Sequence, residues 1–139
     1  MKLVIDTNIW LDLLVFHDPS VASLREALTK GVAQCLGSEP MFSELADVIS
    51  RPQFALSALD QSRALNQARH WCQIFPGEDV PPSLLICRDK DDQKFLDLAF
   101  AACAPLLLTK DKDLLRLASR AKKHSLTIAK QWPVPLGTQ

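Results

Sequence analysis

Long apolar runs are missing from this chain of 139 residues. No stretch approaches the roughly 18 apolar residues that a membrane span requires. The first five residues lead directly to Asp6, which comes too soon for the apolar stretch of a secretory signal peptide. These absences argue against a membrane protein and predict a cytoplasmic location.

Cysteine and histidine patterns that are typical of metal or catalytic sites are missing as well. None of the four cysteines forms a Cys-x-x-Cys pair, and each lies in an apolar stretch. This arrangement predicts buried free thiols rather than disulfides or zinc ligands. The three histidines show no recognisable catalytic spacing, so metal-free acid-base hydrolysis has no support.

The chain also lacks a net charge, since sixteen basic residues balance sixteen acidic ones. This balance argues against a protein that coats nucleic acid through bulk electrostatics. Residues 110–130 depart from it, with seven bases and two acids. Such a cluster is consistent with either a solvated helix face or a phosphate-binding surface.

What the sequence does contain is the composition of an ordinary soluble globular protein, with 47% apolar and 23% charged residues. Its length is typical of one domain. There are no internal repeats and no low-complexity segments. We therefore expect a single domain over residues 1–139, with a core over about 2–130 and a short C-terminal tail.

Strand-like and helix-like patterns alternate along the chain. Short apolar runs predict strands over residues 2–5, 32–36, 84–87, 106–108 and 126–129. Helical periodicity and capping residues predict helices over residues 9–14, 20–31, 38–51, 60–75, 91–102 and 111–123, and composition predicts a loop over 76–82. This alternation predicts an α/β fold, with parallel strands, right-handed crossovers and helices on both faces of the sheet.

Acidic residues follow several of the predicted strands. Asp6 comes directly after the first strand, Asp111 follows the strand over 106–108, and an acidic group at 89–92 precedes a helix. Glu44 lies in the helix after the second strand. Because sites in parallel α/β folds form at the carboxyl ends of strands, we expect these side chains to meet at one edge.

Carboxylates that are crowded together repel one another unless a positive charge lies between them. Mg²⁺ and Mn²⁺ prefer oxygen ligands, so an all-acid site fits them better than zinc. Two such ions can activate a water and stabilise the leaving oxygen in phosphodiester cleavage.

Each acid also has a purely structural interpretation. Asp91 and Asp92 suit helix N-caps, Glu44 suits a solvated helix face, and strand-ending positions such as Asp6 often carry polar residues. Their convergence on one edge is what favours a functional site.

Four segments of the chain resemble the successive motifs of PIN domains. More narrowly, they are similar to the toxin components of bacterial toxin-antitoxin systems, the VapC-like ribonucleases. The match runs from residue 3 to about 130. Its motifs are residues 3–8 (LVIDTN), 43–45 (SEL), 88–99 (RDKDDQKFLDLA) and 108–115 (LTKDKDLL).

The resemblance implies a three-layer α/β/α fold around a central, mainly parallel sheet. It also implies a Mg²⁺- or Mn²⁺-dependent endoribonuclease that acts on RNA, a homodimer, and inhibition by a small antitoxin protein. The residues that match the metal-binding acids of the family are Asp6, Glu44, Asp92 and Asp111. Asp113 is in a position to help hold a second ion.

Within the 89–92 group, Asp92 is preferred because its spacing to the alanines of the following helix matches the family, while Asp89 and Asp91 remain alternatives. Asn8 and Thr109 resemble the polar residues that orient the acids. Related sequences commonly carry proline and glycine where this chain has a lysine at 90 and a lysine at 110. We expect Lys110 to contact phosphate, since it adjoins a metal ligand.

The mechanistic hypothesis is that one ion, held chiefly by Asp6, Asp92 and Asp111, activates a water for in-line attack on the scissile phosphate. Glu44 and Asp113 complete or orient the second coordination shell of the ion. The products of the cleavage carry a 5′-phosphate and a 3′-hydroxyl.

Two alternatives remain. One is a catalytically weak module with the same fold, which binds RNA or a partner. The other is a phosphatase of the haloacid-dehalogenase type or a receiver domain. The phosphatase requires a second Asp where this chain has Asn8, and the receiver domain needs an acidic pair that is missing from this sequence.

Overall fold

A computed structural model describes residues 1–75 and 83–132 of the chain and contains one sheet of five parallel strands. The strands stand in the order β3-β2-β1-β4-β5. Helices flank this sheet, which confirms the predicted α/β fold with a central parallel sheet. The strands are β1 (Lys2–Ile5), β2 (Gln34–Gly37), β3 (Cys72–Ile74), β4 (Leu106–Leu108) and β5 (Thr127–Ala129).

The two central strands carry the core of the sheet. In β1, residues 3–5 pair in parallel register with residues 106–108 of β4, and all six side chains are buried. Such short, continuously apolar runs suit strands that are covered on both faces. Polar residues follow each run, at 6 and at 109, so both strands end at the same edge of the sheet.

Seven helices are found within residues 1–75 and 83–132, and capping residues explain several of their ends. The Ser38 hydroxyl accepts a hydrogen bond from the backbone N–H of Met41, and Gly31 adopts a left-handed φ of 77° where the second helix ends. The helices are α1 (Thr7–Leu11), α2 (Ala22–Lys30), α3 (Glu39–Ile49), α4 (Ala58–Trp71), α5 (Gln93–Ala101), α6 (Lys112–Leu115) and α7 (Ala118–Lys122). Single turns at residues 12–16, 19–21 and 52–54 join them.

Three secondary-structure predictions were wrong. The helix expected over 60–75 ends at residue 71, where the chain enters β3 and Cys72 pairs with Cys35 of β2. The helix expected over 111–123 is divided into α6 and α7. The strand expected over 84–87 does not form. Instead, the side-chain amide of Gln93 donates to the carbonyl of Leu85 and accepts from the backbone N–H of Cys87.

All four cysteines are free, as predicted, but the prediction that all are buried was wrong. Cys103 is exposed, because it lies in the turn that follows α5, with a left-handed φ of 54°. The loop predicted over 76–82 and the end of the C-terminal tail fall outside the described residues. Within residues 1–75 and 83–132, no helix has the length and apolarity needed to cross a membrane.

Replacing Gly37 with alanine should lower the free energy of unfolding by about 1 to 3 kcal/mol. Gly37 ends β2, and a methyl group there would lie 2.7 Å from Cζ of Phe42 and 3.2 Å from Cε of Met41. Both side chains are buried, so the ring has little room to move aside. Urea denaturation measures the change. Ser62→Ala, at an exposed position of α4, is the control, and equal midpoints for the two variants would contradict the prediction.

Candidate metal centre

The carboxyl edge of the sheet brings acidic residues together from four segments. Asp6 follows β1 and precedes α1, and Asp111 follows β4 and precedes α6. Glu44 lies in α3, and residues 89–92 immediately precede α5. The backbone N–H of Asp6 donates to the carbonyl of Leu108 over 2.9 Å, which locks the ends of β1 and β4 side by side.

Asp6 is the most buried of these acids, with 3% of its surface exposed. The Thr109 hydroxyl donates to Oδ2 of Asp6 and accepts from the backbone N–H of Asp111 over 2.9 Å. Burial raises the pKa of Asp6, hydrogen bonds from Thr109 and the Thr7 backbone lower it, and the charges of Asp111 and Glu44 raise it. The net shift is upward, so the ionised form of Asp6 needs a positive partner.

Asp92 occupies the N-cap position of α5 without making the usual capping hydrogen bond. Its Oδ2 is buried and has no hydrogen-bond partner within the described part of the chain. Burial raises the pKa of Asp92 to about 8, and Asp111, to which the protonated form of Asp92 could donate, raises it further together with the charges of Asp6, Asp111 and Asp89. A helix cap does not explain this side chain, whereas a bound cation would satisfy it.

Three carboxylates converge at this point. Asp89, Asp92 and Asp111 each present one oxygen, and the three oxygens lie within 4.8 Å of one another. Asp91 does not belong to this group among the described residues, and its backbone N–H instead donates to Asp89 Oδ1. A group made only of carboxylate oxygens fits a hard divalent cation such as Mg²⁺ or Mn²⁺.

Glu44 lies beside this group, and both of its carboxylate oxygens accept hydrogen bonds from other side chains of the protein. Oε1 accepts from Lys94 Nζ over 2.8 Å, and Oε2 accepts from the Thr7 hydroxyl over 2.5 Å. The sequence prediction gave Asn8 this orienting role. The side chain of Asn8 is exposed, and its neighbour Thr7 makes the contact.

Two other predicted residues point elsewhere. The carboxylate of Asp113 lies 3.7 Å from Arg116, although its backbone N–H donates to Oδ1 of Asp111 and so helps orient that carboxylate. Lys110, which was expected to contact phosphate, instead pairs over 2.6 Å with the buried carboxylate of Asp12. The buried acid needs a counter-charge, and Lys110 supplies it.

Sequence reasoning missed the role of Lys94. A signal was available, because Lys94 lies in the first turn of α5, two residues after Asp92 and immediately before Phe95, a core residue. Its partner Glu44 is 50 residues away in the chain. That distance hides the pairing from any local pattern.

Comparisons with known proteins agree with this fold. A sequence profile of the PIN domain family matches residues 2–113. An uncharacterized protein of Methanocaldococcus jannaschii is 23% identical over 122 residues, which are 88% of this chain and 78% of that protein. The crystal structure of VapBC2 from Rickettsia felis, bound to a DNA fragment from their promoter, contains a chain with a TM-score of 0.61 and 17% identity. That match covers 92% of this chain and 97% of the other, and at this identity it shows a shared fold.

Proposed function

Because this chain belongs to the PIN-domain family, we propose that it is a metal-dependent endoribonuclease that hydrolyses phosphodiester bonds in RNA. Members of this family are generally nucleases. The observation that carries the proposal is the buried Oδ2 of Asp92, which has no hydrogen-bond partner within residues 1–75 and 83–132 and lies beside the carboxylates of Asp89 and Asp111. This arrangement costs free energy in the absence of a cation and becomes favourable with one.

In this proposal the converging carboxylates of Asp89, Asp92 and Asp111 hold the ion. Asp6 lies outside that group of three but is close enough for its charge to raise the pKa of Asp92, and we assign it to the same site. When bound, Mg²⁺ or Mn²⁺ supplies a Lewis acid that neutralises charge on a phosphate and lowers the pKa of a water. Thr109 fixes the orientation of the Asp6 carboxylate, because its hydroxyl donates to Asp6 and accepts a hydrogen bond from the backbone N–H of Asp111.

One exposed basic residue next to the acidic edge supports a polyanionic substrate. Lys112 directly follows Asp111, and its side chain is exposed. An exposed cation beside a metal site can hold a phosphate of a nucleic-acid strand near the scissile bond. Arg120, Lys122 and Lys123 do not contribute to this edge, because the end of α7 leads to the start of β5 at the opposite edge of the sheet.

The fold shared with a chain of the VapBC2 structure supports a narrower proposal, that this protein is the toxin of a toxin-antitoxin pair. Its cognate partner would be a small antitoxin protein that blocks cleavage. Two earlier expectations remain predictions: a homodimer, which the resemblance implies, and a cytoplasmic location, which the lack of long apolar runs in the sequence predicts.

The test is cleavage of an end-labelled single-stranded RNA by the purified protein with Mg²⁺, Mn²⁺ or excess EDTA. We expect cleavage with either ion, no cleavage with EDTA, and products that carry a 5′-phosphate and a 3′-hydroxyl. A single-stranded DNA of the same sequence serves as the substrate control.

Contaminating nuclease is excluded if cleavage follows the protein peak across gel-filtration fractions. Cleavage that persists in EDTA would contradict the proposal. If the folded, metal-bound protein cleaves none of a panel of RNAs that includes transfer RNA, the catalytically weak binding module is the better assignment.

A further inference from the structure

The ammonium group of Lys94 is fixed by three contacts at the acidic edge. Its Nζ lies 2.8 Å from Oε1 of Glu44, donates to the carbonyl of Asp91, and sits 5.1 Å from the ring centroid of Phe95. The side chains of Lys94 and Glu44 are 26% and 28% exposed. A charged pair with this geometry and this shielding is stronger than a surface ion pair.

The Lys94 contact leaves Glu44 poorly placed to bind a metal ion directly. Both of its oxygens already accept hydrogen bonds, Oε1 from Lys94 and Oε2 from Thr7. A second divalent cation on this side of the site would need Glu44 as a ligand and would face the ammonium of Lys94 at close range. Like charges at that distance disfavour each other strongly in a partly buried site.

We propose that Lys94 is a positioning residue whose ammonium stands in for a second divalent cation, so that the site binds a single Mg²⁺ or Mn²⁺. Lys94 balances the charge of Glu44 and keeps that carboxylate beside the ion rather than on it. This inference rests on the proposed function only in that the acidic edge binds a divalent cation.

The test is the number of Mn²⁺ ions bound per chain, measured by calorimetric titration and by electron paramagnetic resonance of free Mn²⁺. The wild-type protein should bind one ion. Lys94→Met, which keeps the length of the side chain and removes its charge, should bind two. Glu44→Gln in the Lys94→Met background should restore a stoichiometry of one, because the second ion would lose its ligand.

The matched control is Lys90→Met, which removes the same charge from an exposed side chain next to Asp89. This variant should bind one ion, as the wild type does. The proposal is overturned by two ions in the wild type, by one ion in a folded Lys94→Met protein, or by equal effects of the two lysine substitutions. Circular dichroism checks folding, and a wild-type count of two ions would overturn the proposal even if Lys94→Met fails to fold.

The outcomes also separate this inference from the proposed function. A wild-type protein that binds no Mn²⁺ would overturn both. A protein that binds one Mn²⁺, gains a second on Lys94→Met and cleaves no RNA would support the role of Lys94 and overturn the nuclease assignment.

Discussion

Replacing Asp6 with asparagine should reduce metal-dependent RNA cleavage by roughly 10³-fold while the protein stays folded. Asparagine has the same shape as aspartate, and its side-chain oxygen can still accept the hydrogen bond from the Thr109 hydroxyl. The substitution removes the negative charge and replaces the other carboxylate oxygen with an amide NH2 group, at a position where burial already disfavours that charge. Catalysis should therefore suffer while stability is kept or increased.

The rate is measured under single-turnover conditions at saturating Mn²⁺, and thermal unfolding of the metal-free protein is measured beside it. Asp47→Asn is the matched control, since Asp47 lies on an exposed face of α3 with 72% of its side chain accessible. A rate for Asp6→Asn within a few-fold of the Asp47→Asn rate would remove Asp6 from the site. Loss of activity together with loss of the folded state would assign Asp6 to stability instead.

Changing Asp92 to asparagine should stabilise the metal-free protein at alkaline pH. The pKa of Asp92 is about 8 in the folded protein against an ordinary value of 3.8, so the folded state binds the proton more tightly. A raised acid pKa means that wild-type stability falls as the pH rises through the window from about 4 to about 8. Asparagine cannot ionise and should remove this contribution.

The expected gain is about 2 kcal/mol above pH 8, because each pKa unit corresponds to 1.36 kcal/mol and solvent screening reduces the full value for a partly exposed group. Near pH 4 the two proteins should differ little. Asp6 has a pKa shifted in the same direction, so a shallower slope of the same sign should remain in the variant.

Urea denaturation in EDTA, from about pH 4 to about pH 9, tests this expectation. Asp60→Asn, at an exposed position in the first turn of α4, should keep the wild-type slope. Adding Mn²⁺ should reverse the order at alkaline pH, because only the wild-type site gains stability from ion binding. Parallel pH curves for wild type and Asp92→Asn would show that folding does not raise the pKa of Asp92.

The sequence allowed the sheet edge to be predicted because β1 and β4 are encoded locally. Each is a short apolar run that ends at a polar residue, and parallel pairing then places Asp6 near Asp111. β3 could not be predicted in the same way. Its three residues continue the helical pattern of α4, and the strand forms only because β2 offers a parallel partner.

The site itself was predictable only in part. Residues 89–92 form an irregular turn rather than a helix or strand, so no period tells which of its carboxylates points inward. In the structure, the carboxylates of both Asp89 and Asp92 lie close to that of Asp111. The engagement of Glu44 by Lys94 and Thr7 depends on how α3, α5 and the start of α1 pack, and that packing has no local signature.

The hydroxyl of Thr109 and the cap of α6 restrict the motion of two carboxylates at the acidic edge. One oxygen of Asp6 accepts a hydrogen bond from Thr109, and one oxygen of Asp111 accepts from the backbone N–H of Asp113 over 2.7 Å. Because both side chains are oriented before any cation arrives, binding one in the proposed site would require little further loss of side-chain conformational entropy.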